Sequence, residues 1–222
     1  GGHWDTYYYQ MVDYIRKYKG AHPQPAAGKI KTIKIGVGFE QWEDITPVYH
    51  NHRGSTFHRN HPGYAGAKTY VNETGCNDIV ACKVARDNAM LYFYVETAEP
   101  LTSYTDPAWM RLFIDADRKV DTGWEGYDYV VNRVAPEEKE AVLEHSDTGW
   151  NWEAAAKVAW QKEDNKLHLA IPREALGLPK DKKIDLRFKW ADNMQHDGDI
   201  MDFTLYGDAA PPGRFMYRYY EE

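Results

Sequence analysis

Between residues 77 and 206 the chain runs as short segments in which apolar residues alternate with others, each closed by Gly, Pro, Asn or Asp. That grammar limits the fold more than any other feature, because a period of two belongs to strands with two unlike faces. Leu91, Phe93 and Val95 point one way while Tyr92 and Tyr94 point the other. Residues 77–86 and 90–97 flank Asp87-Asn88 as a compact hairpin, and Glu163-Asp164-Asn165 closes a second. Further strands are predicted over 109–115, 127–134, 141–145, 155–160, 166–171, 184–190 and 201–206, with an earlier one marked by Ile33, Ile35, Val37 and Phe39. Residues 172–176, from Pro172 to Leu176 and closed by Gly177, predict one short helix at a crossover. Strands that follow strands predict an all-β chain folded as an antiparallel, jelly-roll-like β-sandwich, not a set of βαβ units.

The beginning of the chain follows a different period. Tyr8, Met11, Val12, Ile15 and Tyr18 recur at helical spacing, with Asp5 or Thr6 able to cap the start and Gly20 able to end it. Residues 21–28, carrying Pro23 and Pro25, read as a linker. Two units are therefore expected: residues 1–28 as helix and linker, either the tail of an upstream domain or a strut, and 29–222 as the sandwich. The opening Gly1-Gly2-His3 suits a fragment excised from a larger protein.

Charge and composition narrow the partners. A net charge of -7 over 222 residues, without a Lys/Arg-rich run, argues against nucleic acid. No apolar run is long enough to span a membrane. Aromatic residues make up 14% of a chain whose mean hydropathy is -0.72, so some rings are expected at the surface, where Tyr and Trp present an apolar face and a polar tip. Cys76 and Cys82 would lie roughly 20 Å apart on an extended strand, beyond disulfide reach, and two free thiols are expected.

Four groups of residues could carry chemistry. Asp115, Asp117, Asp121 and Asp128 lie around a strand end and a glycine turn, offering hard oxygen ligands to calcium, although the spacing is not that of an EF-hand and aspartates are also ordinary turn formers. Trp109 and Arg111 fall on the same side of their strand, away from Met110, Leu112 and Ile114, as a stacking ring beside a charged donor. Trp150 and Trp152 follow a turn, and Trp124 sits in the glycine turn; all three either project from the end of the sandwich or plug it. His50, His52, His58 and His61 share one loop-like segment that could hold a metal or simply be solvated. A nucleophile elbow, a zincin helix and a phosphate-cradling loop are all missing.

Five stretches, taken in order, resemble the family 9 carbohydrate-binding modules and the wider superfamily of sugar- and haem-binding sandwiches. They are Asn77-Asp78-Ile79, residues 91–96 (LYFYVE), residues 111–117 (RLFIDAD), residues 122–129 (TGWEGYDY) and residues 171–178 (IPREALGL), and the resemblance extends over about two thirds of the chain. Residues 7–15 (YYYQMVDYI) look like the last helix of a catalytic barrel. The resemblance implies a non-catalytic module of a larger, secreted, periplasmic or cell-surface glycoside hydrolase, with structural calcium in its loops. It also implies a terminal sugar held between two tryptophans, here Trp109 and one of Trp124, Trp150 or Trp152. Arg111 and Asn132 would bond the hydroxyls of an oligo- or polysaccharide. Three other readings stay open: a structural domain packing on the upstream catalytic domain, a glycosidase using Glu125 and Asp128, and a haem or redox sandwich using Met110, Met194, Met201 or histidines.

Overall fold

A computed structural model describes residues 6–20, 24–63 and 69–222. In chain order the strands are β1 (Val48–His50), β2 (Arg59–His61), β3 (Tyr70–Asn72), β4 (Ile79–Arg86), β5 (Met90–Thr97), β6 (Arg111–Asp115) and β7 (Tyr129–Val131). They continue with β8 (Glu140–His145), β9 (Glu153–Glu163), β10 (Lys166–Pro172), β11 (Asp185–Asp192), β12 (Asp208–Ala210) and β13 (Tyr217–Tyr220); the helices are α1 (Thr6–Lys19) and α2 (Asp202–Leu205). Apart from the small β2–β3 pair, the strands form one sheet in the order β1-β4-β5-β10-β9-β8-β7-β6-β11-β12, with β13 also on β11. The chain is all-β and antiparallel, as its alternation predicts.

β9 turns this one sheet into two layers. Its first half pairs with β8 over 153–159 and its last residues pair with β10 over 159–163, so the strand passes from one layer to the other. Val84, Phe93 and Leu169 of the first layer meet Ile114, Leu143 and Phe188 of the second in one buried cluster. The far edges are fastened to each other: Tyr49 Oη donates to the Arg218 carbonyl at 2.7 Å, the Ile79 N–H to Asp208 at 2.8 Å, and Arg86 pairs with Glu221 at 2.5 Å. Joined in this way, those edges offer less unpaired backbone to other chains.

The two hairpins form where the turn residues place them. Asp87 Oδ1 accepts the Ala89 and Met90 N–H groups at 2.8 Å each, and Asp164 takes the left-handed conformation. Residues 173–176 form a single 3-10 turn closed by Gly177 at φ 64°, matching the predicted short helix.

Two predicted strands are not strands. Residues 33–39 form a strap over the outer face of the first layer, burying Ile33, Phe39 and Trp42 against Tyr92, Tyr94 and Ala170. Its backbone is bonded by side chains instead of a ladder, with Gln41 accepting from Lys34 N–H and Gln161 accepting from Gly36 N–H. Residues 202–205 form α2, one helical turn that buries Phe203, and four residues are too few to reveal a helical period. β6 begins only at Arg111 and β7 ends at Val131, both short of their predicted bounds.

Helix α1 forms as its spacing predicts, but its side chains from Gln10 to Lys19 are exposed apart from half-buried Val12. Gly1-Gly2-His3, the Asp5 cap and linker residues 21–23 lie outside the described residues. The rest of the linker is tied to the sandwich: Tyr220 Oη donates to the Gln24 carbonyl at 2.7 Å and the Ala27 N–H donates to the Tyr220 carbonyl at 2.7 Å.

Candidate functional site

β6 separates the core from the outer face of the second layer. Leu112 and Ile114 enter the core, while Arg111, Phe113 and Asp115 project outward. The alternation breaks just before the strand, where Ala108 (φ 54°) and Met110 (φ 40°) take positive backbone angles. Trp109 is consequently turned inward beside Met110. It is 2% exposed and packs edge-on against Trp160 at 5.6 Å, which corrects the expectation that it stands exposed beside Arg111.

The outer face has its own aromatic cluster around Phe113. Gly123, at φ 61°, lets the 123–128 turn close so tightly that a Cβ there would sit 2.0 Å from the Tyr127 carbonyl. The Gly123 N–H donates to Asp147 O at 3.1 Å and the Gly149 N–H to Gly123 O at 2.9 Å, joining this turn to the one carrying the next two indoles. Trp124 is thereby sealed at 4% exposure against Phe113 and Phe203, so it too is packing and not an exposed platform. Trp150 meets Trp124 edge to face at 4.5 Å, and Trp152 meets Trp150 at 5.6 Å and 88°. Both Trp150 and Trp152 remain half-buried.

Arg111 lies within this cluster at 5% exposure, its guanidinium carbon 6.0 Å from the centre of the Trp150 ring. Nη1 donates to Asp197 Oδ1 at 2.7 Å. Arg111 Nε, Trp152 Nε1 and Asn132 Oδ1 are buried without a protein partner, although Asn132 Nδ2 donates to the Met110 carbonyl at 3.0 Å. Polar atoms so placed cost free energy until something bonds them. Arg133 grips Glu144 with two nitrogens, and Lys157 reaches Glu140 at 2.8 Å, while buried Lys189 bonds the Pro211 carbonyl and lies over the Phe203 ring. Asp197, Arg133 and Glu144 were not singled out from sequence. Asp197 sits in a loop readable from its Asp and Gly residues, but nothing local says that the loop folds back on β6.

The carboxylates assemble at the opposite end of β6. Asp115, Asp117 and Asp128 bring one oxygen each within 4.8 Å of the others, whereas Asp121 is exposed outside the group, a correction to the four-aspartate set. Burial pushes the Asp115 carboxyl up to about 6, helped by the neighbouring Asp128 charge and opposed by the Arg118 N–H and the Arg187 guanidinium. Burial also raises Asp128, against a hydrogen bond from the Ala116 N–H at 2.8 Å. Two acids held together at this cost suit a hard cation, which would draw further oxygens from carbonyls and water. Asp117 and Asp128 also border a depression of about 270 Å³ walled by Tyr129, His145, Asp147 and Leu178.

Other groups do not converge. Among the described residues the aspartate trio is the one His/Cys/Asp/Glu group with metal-like spacing, so His50, His52, His58 and His61, all exposed, do not form one. Met110 lies in the core and Met194 on the outer face, while Met201 is 41% exposed, so the three form no common pocket. Both cysteines are free, with Cys76 Sγ donating to Asp192 at 3.1 Å.

No family model, curated protein or solved structure matches the chain. Function therefore has to be argued from the site, since a sandwich alone specifies none. Among the described residues no helix is long and apolar enough to cross a membrane.

Proposed function

We propose that this is a non-catalytic glycan-binding module whose site is the outer face of the second layer, at Trp150, Trp152 and Arg111. One observation carries the reading: two half-buried indoles stand at right angles, and Trp150 lies beside a buried arginine whose Nε lacks a partner. An indole face takes the C–H face of a pyranose, and the nearby N–H groups and Asn132 Oδ1 suit its hydroxyls. Its place in a parent protein would be outside the cytoplasm, where polysaccharide is met. Calcium is proposed as a structural ion, held by Asp115, Asp117 and Asp128, fixing the turn that leads to Trp124.

Affinity electrophoresis through gels containing soluble xylans, glucans or mannans tests the reading. Retardation by at least one of them, lost in Trp152→Ala by tenfold or more in affinity (about 1.4 kcal/mol), is expected. Unretarded migration in every gel would overturn it.

A second reading is favoured by α1. Met11, Tyr14, Ile15 and Tyr18 are 46% to 89% exposed on a helix of 14 residues, a length that is marginal in water without something to pack on. An upstream domain of the same parent chain is the proposed cover, and the sandwich would then also act as a structural accessory to it.

A further inference from the structure

Asp197 and Gly198 stand where a ligand of the indole face would have to be. The Asp197 side chain is 52% exposed, yet its carboxylate reaches an arginine that is 5% exposed, at 2.7 Å. The same guanidinium nitrogen approaches Met194 Sδ at 3.7 Å. Gly198 lies flat against Trp150: a Cβ there would stand 3.2 Å from Trp150 Cγ, and the backbone is at φ +81°. Glycine alone combines that angle with that approach. The segment is anchored on either side of this contact. Buried Asp202 accepts the Gln195 N–H at 2.7 Å and the His196 N–H at 2.6 Å, and Asp199 accepts the Met201 N–H at 2.9 Å.

We infer that residues 196–199 are a lid over the glycan site, with Asp197 as its latch on Arg111 and Gly198 as the surface that covers Trp150. The inference rests on the glycan-binding reading above. A sugar ring stacks in van der Waals contact, so one side of Trp150 holds either Gly198 or a pyranose. A ligand hydroxyl that bonds Arg111 Nη1 likewise replaces the Asp197 carboxylate. The latch pairs a half-exposed carboxylate with a buried guanidinium, so opening it leaves the Arg111 charge in need of another acceptor, which a ligand hydroxyl supplies. The bonds of the Gln195 and His196 N–H groups to buried Asp202 return the loop to the same place. Apparent affinity is then the affinity of the open site multiplied by the fraction of molecules that are open.

The test compares wild type with Asp197→Asn and Gly198→Ala, which loosen the lid by different routes. Phenylglyoxal labelling of Arg111, mapped by peptide mass, reports opening without any sugar; calorimetry with xylo-, cello-, manno- and malto-oligosaccharides reports binding. Both variants are expected to label about fivefold faster and to bind more tightly by a similar factor. Unchanged labelling in both variants would overturn the lid. Faster labelling with equal or weaker sugar affinity would also overturn it, while leaving glycan binding in place. Faster labelling without sugar binding in any form would remove the glycan reading and the lid's role with it.

Discussion

Single backbone angles decide which tryptophans are core and which are surface. Trp109 and Trp152 each precede a strand in sequence, yet two positive φ values turn Trp109 inward and nothing local announces them. Trp109→Ala is expected to cost about 3–5 kcal/mol in urea unfolding, as for other fully buried aromatics, and Trp152→Ala about 1 kcal/mol or less. His168 is a second case decided at the residue scale. Its Nδ1 accepts from Trp42 Nε1 at 2.9 Å, its Nε2 faces Gln161 Oε1 at 3.1 Å, and Phe39 stacks on it at 4.2 Å. Burial holds it neutral and lowers its pKa from 6.5 to about 4. Between those values the unfolded chain binds the extra proton, so this contribution is complete above pH 6.5 and lost as pH falls to about 4, amounting to at most about 3 kcal/mol. Unfolding free energy measured from pH 7 to 4 is expected to decline less in His168→Asn than in wild type. An equal slope in the two proteins would remove His168 as its source.

At the scale of elements, hairpins were legible because Asp87-Asn88 and Asp164-Asn165 are turn chemistry acting on adjacent residues. The strap over 33–39 was not, because its alternating Ile33, Ile35, Val37 and Phe39 satisfy strand grammar while Gln41 and Gln161, one of them far along the chain, take its backbone bonds. Nor does period show that β9 serves two layers, since the switch depends on which partner each half finds. The β6–β7 turn gathers three of its four candidate aspartates because Asp115 ends one strand and Asp128 sits just before the next, while Asp121 falls on the outside of the turn. Calcium is expected to raise the melting temperature, with a stabilisation of about 2.7 kcal/mol when free calcium is a hundredfold above its dissociation constant. Asp128→Asn should abolish that increment in a thermal melt with and without chelator. An increment that survives in the variant would place the ion elsewhere.

For the whole molecule, the sequence was informative about architecture and less so about surface. Alternation and turns are local signals, whereas the outer face is assembled from turns at 123–128, 146–152 and 194–206 that meet only in three dimensions. The side chains of α1 from Gln10 to Lys19 are exposed apart from half-buried Val12, so removing residues 1–20 is expected to leave the melting temperature within about 2 °C of the full chain, as surface changes usually do. A large drop would mean that α1 packs on the sandwich. The account as a whole depends on a sugar meeting the indole face, and a heteronuclear NMR titration with oligosaccharide observes that encounter residue by residue. The indole N–H signals of Trp150 and Trp152 should shift together with the Arg111 side chain, while those of buried Trp109 and Trp190 stay in place. Shifts confined to the depression beside Asp117 and His145, or saturating sugar that moves no signal, would contradict it.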